Sequence, residues 1–225
     1  MFKNIEINQE LLDYISEFGH QQNPIQKEII QYNKSLRNQE RLQLSVTQAN
    51  LLQMIISFCK IEECLEIGTF TGYSALSMAL ALPENGRVTT LDKDEKSISI
   101  ANAFFEKAKL DNKVMTIIGP ALDSLKKFAH DKIFFDLIFI DADKKNYIKY
   151  FNMSLDIIKK KGIIIVDNVL WHGDVYNKTI NDKETNIIRE FNSHVKNDKR
   201  VEKFIIPLGD GLTICRKLLL VLSDV

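Results

Sequence analysis

Two acidic segments carry the chemistry in this chain. The apolar run Phe134 to Ile140 stops at Asp141-Ala142-Asp143-Lys144, and the run Ile163 to Val166 stops at Asp167-Asn168. Apolar runs of this length read as buried strands, so each acidic group falls where a strand leaves the core, the edge at which open α/β sheets bind ligands. Asp141, Asp167 and Asn168 offer oxygen donors only, which suits a hard divalent cation: magnesium first, manganese or calcium as substitutes. Zinc is disfavoured, because none of His20, His130, His172 and His194 has zinc-like spacing and the cysteines are not clustered. Lys144 follows Asp141 by three residues, so a turn after the strand brings its amine to an oxygen bound at the same ion. A lysine beside a cation has a lowered proton affinity and can act as a general base. The bland alternative makes Asp141 and Asp167 helix caps or loop residues, and Lys144-Lys145 a solvated pair.

A second feature is Leu65-Glu66-Ile67-Gly68-Thr69-Phe70-Thr71-Gly72-Tyr73-Ser74, an apolar strand that breaks into a glycine turn and then a helix. Gly68 and Gly72 let the backbone turn sharply and approach a ligand closely. The spacing is not Gly-x-Gly-x-x-Gly, and Glu66 lies two residues before the first glycine. A carboxylate aimed into the pocket repels a pyrophosphate and favours an amino group and a sulfonium, so S-adenosylmethionine fits better than NAD. Asp92 ends the next strand, where its carboxylate can take the hydroxyls of an adenosine ribose; the alternative is an exposed turn with Lys93 and Asp94. Tyr73 and Ser74 open the helix with backbone amides and a hydroxyl, although Tyr73 also suits packing.

The elements that must position these residues follow from periodicity. A helix carries Leu51, Leu52, Ile55, Ile56 and Cys59 on one face, with Ser45 and Gln48 spaced as a capping box. Strands ending at Ile67, Leu91, Ile118, Ile140 and Val166 alternate with helices over about 72–82, at Ile98, Ala101, Phe105 and Ala108, over 121–129, and at Ile148, Phe151, Leu155 and Ile158. Parallel neighbours need crossover helices, so this alternation predicts a doubly wound, mostly parallel α/β sheet. Val201 to Ile206 and Leu212 to Arg216 are separated by only five residues, which predicts an antiparallel hairpin at the end.

At 225 residues and 45% hydrophobic content, the chain is long enough for one full core, with helices over about residues 1–58 packing on it or on a partner chain. Thirty basic and thirty acidic residues cancel, which removes the electrostatic footprint of a protein that binds nucleic acid mainly through phosphates. Cys59, Cys64 and Cys215 sit among apolar neighbours and read as buried, reduced thiols, in keeping with the cytoplasm. The start from Met1 to Glu6 has no apolar signal core, and the tract Leu218 to Leu222 is too short to span a bilayer.

In order along the chain, Leu65 to Ser74, Gly119-Pro120-Ala121, Ile140 to Lys144, Asp167-Asn168-Val169-Leu170-Trp171 and Gly209 to Arg216 resemble the cation-dependent class I O-methyltransferases. That family includes catechol and caffeoyl-CoA O-methyltransferases, and the resemblance spans roughly Leu42 to Lys217. It implies a seven-stranded sheet, a homodimer, and S-adenosylmethionine held by Leu44, Glu66, Gly68, Thr69, Ser74, Asp92, Ala121 and Asp141. It further implies metal ligation by Asp141, Asp167 and Asn168, with Lys144 as the base. Asp143, Tyr147, Trp171 and His172 are the candidates for contact with the acceptor. His172 stands where the plant enzymes carry an asparagine, and the tail Leu218 to Val225 runs past the usual end, to extend the last strand or cover a partner. The expected reaction is methylation of a catechol-like small molecule, a caffeoyl-type ester included. The alternatives are methylation of a hydroxylated tRNA uridine, a non-catalytic S-adenosylmethionine-binding protein and, more remotely, an NAD oxidoreductase.

Overall fold

The computed structural model describes residues 5–19 and 21–219. The strands are β1 (Glu63–Ile67), β2 (Arg87–Asp92), β3 (Val114–Ile118), β4 (Phe135–Ile140), β5 (Ile158–Val166), β6 (Val201–Ile206) and β7 (Leu212–Lys217). The helices are α1 (Gln9–Gly19), α2 (Pro24–Ser35), α3 (Val46–Cys59), α4 (Tyr73–Ala81), α5 (Glu95–Lys107), α6 (Ala121–His130), α7 (Tyr147–Ile157) and α8 (Lys183–Asn197). The seven strands form one sheet in the order β3-β2-β1-β4-β5-β7-β6. Neighbours from β3 to β5 are parallel, while β7 runs antiparallel to both β5 and β6. The doubly wound sheet and the closing hairpin are therefore as expected.

Strand alternation feeds two cores, one on each face. In β4, Ile138 and Ile140 point to the face covered by α6, α7 and α8, while Leu137 and Phe139 point to the face covered by α2, α3, α4 and α5. From β1 the chain winds outward through β2 to β3, then returns to lay β4 on the other side of β1. This reversal opens a crevice beyond the carboxyl ends of β1 and β4, and it is there that Gly68 and Asp141 emerge. Asp141 N donates to Ile67 O at 2.9 Å, and Asp167 N donates to Ile140 O at 3.0 Å, so the ends of β1, β4 and β5 lie flush.

Two expectations change. Ile158 continues the helical spacing of α7 yet opens β5, where it pairs with Phe135 before the register shifts to Leu137 and Ile163. Gly162 permits that irregularity, since a Cβ there would meet Ile158 Cγ1 at 2.6 Å. Cys59 is exposed rather than buried, in a last turn of α3 where Ser57, Phe58 and Cys59 all face solvent before Lys60 ends the helix in the left-handed conformation. Cys64 and Cys215 are buried, and burial holds both thiols well above their ordinary value. Among the N-terminal helices, α2 packs on α4 through Gln26 Nε2 to Ser77 Oγ at 2.8 Å, whereas α1 buries none of its residues. Of the tail, Leu218 N donates to Arg200 O at 2.8 Å, and residues 220–225 lie outside the described residues. Residues 1–4 and His20 also lie outside them.

Candidate active site

The glycine turn is held from β2. Asp92 Oδ2 accepts both Thr69 N and Phe70 N at 3.0 Å, and Asp92 Oδ1 accepts Asp94 N at 3.0 Å. These bonds support Phe70 at φ 47°, a left-handed conformation that costs a side-chain-bearing residue energy. Asp92 thus braces the turn, a role its position at a strand end did not disclose. Gly68 has φ 104°, and a Cβ there would lie 1.9 Å from Asp141 O, so the close approach of β1 and β4 requires glycine. Ser74 lies in the first turn of α4, and Ala121 opens α6 after Gly119. Tyr73 packs, with its hydroxyl accepting Gln22 Nε2 at 3.1 Å. Leu44 is 4% exposed within the core, which leaves its main chain for the implied contact.

Glu66 is fully buried at the base of this turn. Thr90 Oγ1 donates to Glu66 Oε2 at 2.5 Å and lies 2.6 Å from Thr69 Oγ1, while Glu66 Oε1 meets no donor. Burial drives the carboxyl from its ordinary 4.5 up to about 8, against the lowering pull of the Ser74 and Thr90 hydroxyls. Folding therefore takes up a proton between these values. The stabilisation is whole below the unfolded value of 4.5 and is lost as pH rises through about 8. The melting temperature of the ligand-free protein is expected to fall across that window, and Glu66→Gln to flatten part of the fall. Parallel curves for the two proteins would show that Glu66 is ionised throughout.

Beyond β4 and β5 the second half of the site converges on one amine. Lys144 Nζ donates to Asp141 Oδ1 at 3.0 Å, to Asn168 Oδ1 at 2.5 Å and to Tyr147 Oη at 2.5 Å, which uses all three of its protons. Neither Asp141 nor Asp167 caps a helix; the short turn Lys144–Asn146 is preceded by Asp143. Asn168 has φ 57°, a conformation that asparagine tolerates better than most residues, and it turns its amide back over the strand end. Asp167 is 3% exposed, with Oδ1 accepting Gln48 Nε2 and Asn168 N, both at 2.7 Å. Burial, and next the charge of Asp141, push its carboxyl up to about 7 against the opposing pull of Asn168, Lys144 and Gln48. Two carboxylates here face a single ammonium.

Among the described residues no three His, Cys, Asp or Glu side chains gather as a metal cluster. The set at Lys144 is instead two carboxylates and an amide. It fits a hard divalent cation by its chemistry: every donor is oxygen, and a cationic group already bridges Asp141 Oδ1 and Asn168 Oδ1.

The candidate acceptor residues divide. Tyr147 is fully buried, so it faces no acceptor; its hydroxyl donates to Asp167 O at 3.1 Å and accepts from Lys144. Asp143 has both oxygens engaged, by Tyr150 Oη and Asn146 Nδ2 at 2.7 Å each. Trp171 and His172 sit on a loop in consecutive left-handed conformations, φ 47° and 56°, with ring centroids 5.4 Å apart. Beside them a pocket of about 520 Å³ is lined by Leu170, His172, Gly173, Tyr176, Gly209 and Asp210. Asp210 was not among the expected site residues. Its Oδ1 accepts His172 N, and its Oδ2 accepts Asn168 Nδ2 at 3.4 Å, so it braces both.

A sequence profile of the O-methyltransferase family matches residues 16–218. The chain belongs to the O-methyltransferase family. Among the relatives of this O-methyltransferase is a probable caffeoyl-CoA O-methyltransferase 2 of Dictyostelium discoideum, 35% identical over 218 residues, covering 95% of this chain and 94% of the relative. The caffeoyl-CoA O-methyltransferase of Populus kitakamiensis is 39% identical, with 79% of each chain covered. An O-methyltransferase from Bacillus cereus, solved in complex with SAH, superposes at a TM-score of 0.85 with 33% identity, covering 92% of this chain and 97% of that one. The enzyme is thus an S-adenosylmethionine-dependent O-methyltransferase, as the resemblance implied.

Proposed function

We propose that this O-methyltransferase methylates one hydroxyl of a vicinal dihydroxy aromatic small molecule and requires a divalent cation, magnesium first, to do so. The observation that carries the reading is the convergence of Asp141 Oδ1 and Asn168 Oδ1 on Lys144 Nζ, beside Asp167. The caffeoyl group in the relatives' names is itself a vicinal dihydroxy ring, which supports the same acceptor class.

Asp141, Asp167 and Asn168 would hold the cation. When bound, it supplies charge neutralisation for the two carboxylates and acidifies a hydroxyl brought to it. Lys144 would act as the neutral amine, its third proton released to solvent beforehand, and take the proton of the acceptor hydroxyl at Nζ. Tyr147 Oη keeps that amine aimed, and Tyr147 is itself fixed by Asp167 O. Glu66, with Oε1 free, and the turn braced by Asp92 would hold the amino-acid and ribose ends of the methyl donor, together with Thr69, Ser74 and Ala121. The deprotonated oxygen displaces S-adenosylhomocysteine from the methyl in line, so the enzyme's contribution is orientation and a placed base. Trp171 and His172 would flank the acceptor ring.

Two copies are expected to associate, a reading supported by Tyr14 and Phe18 on α1, which stay 59% and 66% exposed. Among the described residues no helix is long and apolar enough to cross a membrane, and three free thiols support a cytoplasmic setting.

The test is methyl transfer from labelled S-adenosylmethionine to catechols, hydroxycinnamoyl thioesters, flavonoids and hydroxylated tRNA, with and without chelator. Transfer to a vicinal diol, abolished by EDTA and restored by magnesium, is expected. Transfer that chelator leaves unchanged, or that occurs on tRNA alone, overturns the reading.

A further inference from the structure

Gln48 reads in sequence as half of a capping box, and in the structure it does that and something else. It is the third residue of α3 and is 3% exposed. Its carbonyl Oε1 accepts the backbone N–H of Ser45 at 3.2 Å and the Ser45 hydroxyl at 2.7 Å, while Ser45 Oγ accepts Gln48 N at 3.2 Å. Flipping the amide would set its NH2 against the Ser45 N–H and its oxygen against a carboxylate. The cap therefore dictates that Nε2 faces away, where it meets Asp167 Oδ1 at 2.7 Å. The hairpin turn closes over the same amide: a Cβ on Gly209 would lie 2.4 Å from Gln48 Oε1.

With Gln48 Nε2 and Asn168 N both on Oδ1, the Asp167 carboxylate is locked in rotation and its Oδ2 is the oxygen left to turn outward. We propose that Gln48 is a positioning residue for the cation site, presenting a single oxygen of Asp167 to the ion and tying α3 and the hairpin turn to that geometry. The proposal rests on the cation reading above. Groups that orient a metal-binding side chain from behind contribute substantially to affinity, without touching the ion themselves.

The experiment is titration of the enzyme with Mn2+ in the presence of S-adenosylhomocysteine, followed by electron paramagnetic resonance and calorimetry. Gln48→Met keeps the bulk and removes the donor. It is expected to weaken Mn2+ binding about tenfold or more and to broaden the bound-ion spectrum, with S-adenosylhomocysteine affinity held within about twofold. Should Gln48→Met fail to fold, Gly209→Ala displaces the same amide and is read the same way. A lowered melting temperature with unchanged Mn2+ affinity would assign Gln48 to helix capping alone and overturn the proposal. If the unsubstituted enzyme binds Mn2+, Asp141→Ala loses it and Gln48→Met does not, the positioning role fails while the cation reading stands. No Mn2+ binding by the unsubstituted enzyme overturns both.

Discussion

Lys144→Met is expected to lower kcat by roughly 10²–10⁴-fold while S-adenosylhomocysteine still binds normally. Methionine fills a similar volume without a proton acceptor, so the change removes the base and leaves the shape. Lys144 donates to Asp141, Asn168 and Tyr147 together, and losing the ammonium leaves the two carboxylates facing each other with no counter-charge. A divalent ion should then bind at least as tightly as before. The split between a collapsed kcat and an undiminished metal affinity distinguishes a lost base from a damaged site. Single-turnover rates measured against pH give a further check, because without the lysine the residual rate must climb with hydroxide concentration. A kcat within a few-fold of the unsubstituted enzyme would assign the proton to solvent and reduce Lys144 to a structural counter-charge.

Asp141→Ala is expected to lower turnover by roughly 10³-fold or more and to abolish its dependence on magnesium. The fold should survive. The Asp141 side chain is 21% exposed, and without it Lys144 Nζ keeps Asn168 Oδ1 and Tyr147 Oη while the repulsion between Asp141 and Asp167 is removed. The structural contacts of this residue are main-chain ones that alanine keeps, Asp141 N to Ile67 O at 2.9 Å and the carbonyl packed against Gly68. Circular dichroism and melting temperature should stay near those of the unsubstituted enzyme while activity and chelator sensitivity both vanish. Unchanged activity would mean that the reacting centre lies elsewhere.

The parallel sheet and its switch point were legible because βαβ alternation leaves few topologies open, and because β4 and β5 close on the apolar runs Leu137 to Ile140 and Ile163 to Val166. Lys144 was legible for a local reason, its three-residue spacing from Asp141. Gln48 and Asp210 were not, because their partners are distant in sequence: Asp167 lies 119 residues from Gln48, and Asn168 lies 42 from Asp210. No periodicity encodes such a contact. Thr90 escaped for a similar reason, since an inward-facing threonine in a strand ordinarily reads as packing, yet here its hydroxyl holds Glu66. Ile158 misled because its spacing from Leu155 continues the helix, whereas pairing with Phe135 claims it for the sheet. Tyr147 misled in another way: its aromatic ring at a strand end suggested an acceptor pocket, but burial turns it inward to aim Lys144.

The most direct test is a crystal of the enzyme grown with S-adenosylhomocysteine and Mn2+ and measured at the manganese edge. The anomalous peak is expected in direct contact with oxygens of Asp141, Asp167 and Asn168, with the Lys144 amine displaced from the point where it now joins Asp141 to Asn168. A peak at another place, or none while Lys144 still bridges the two oxygens, would contradict the assignment of these residues to a cation.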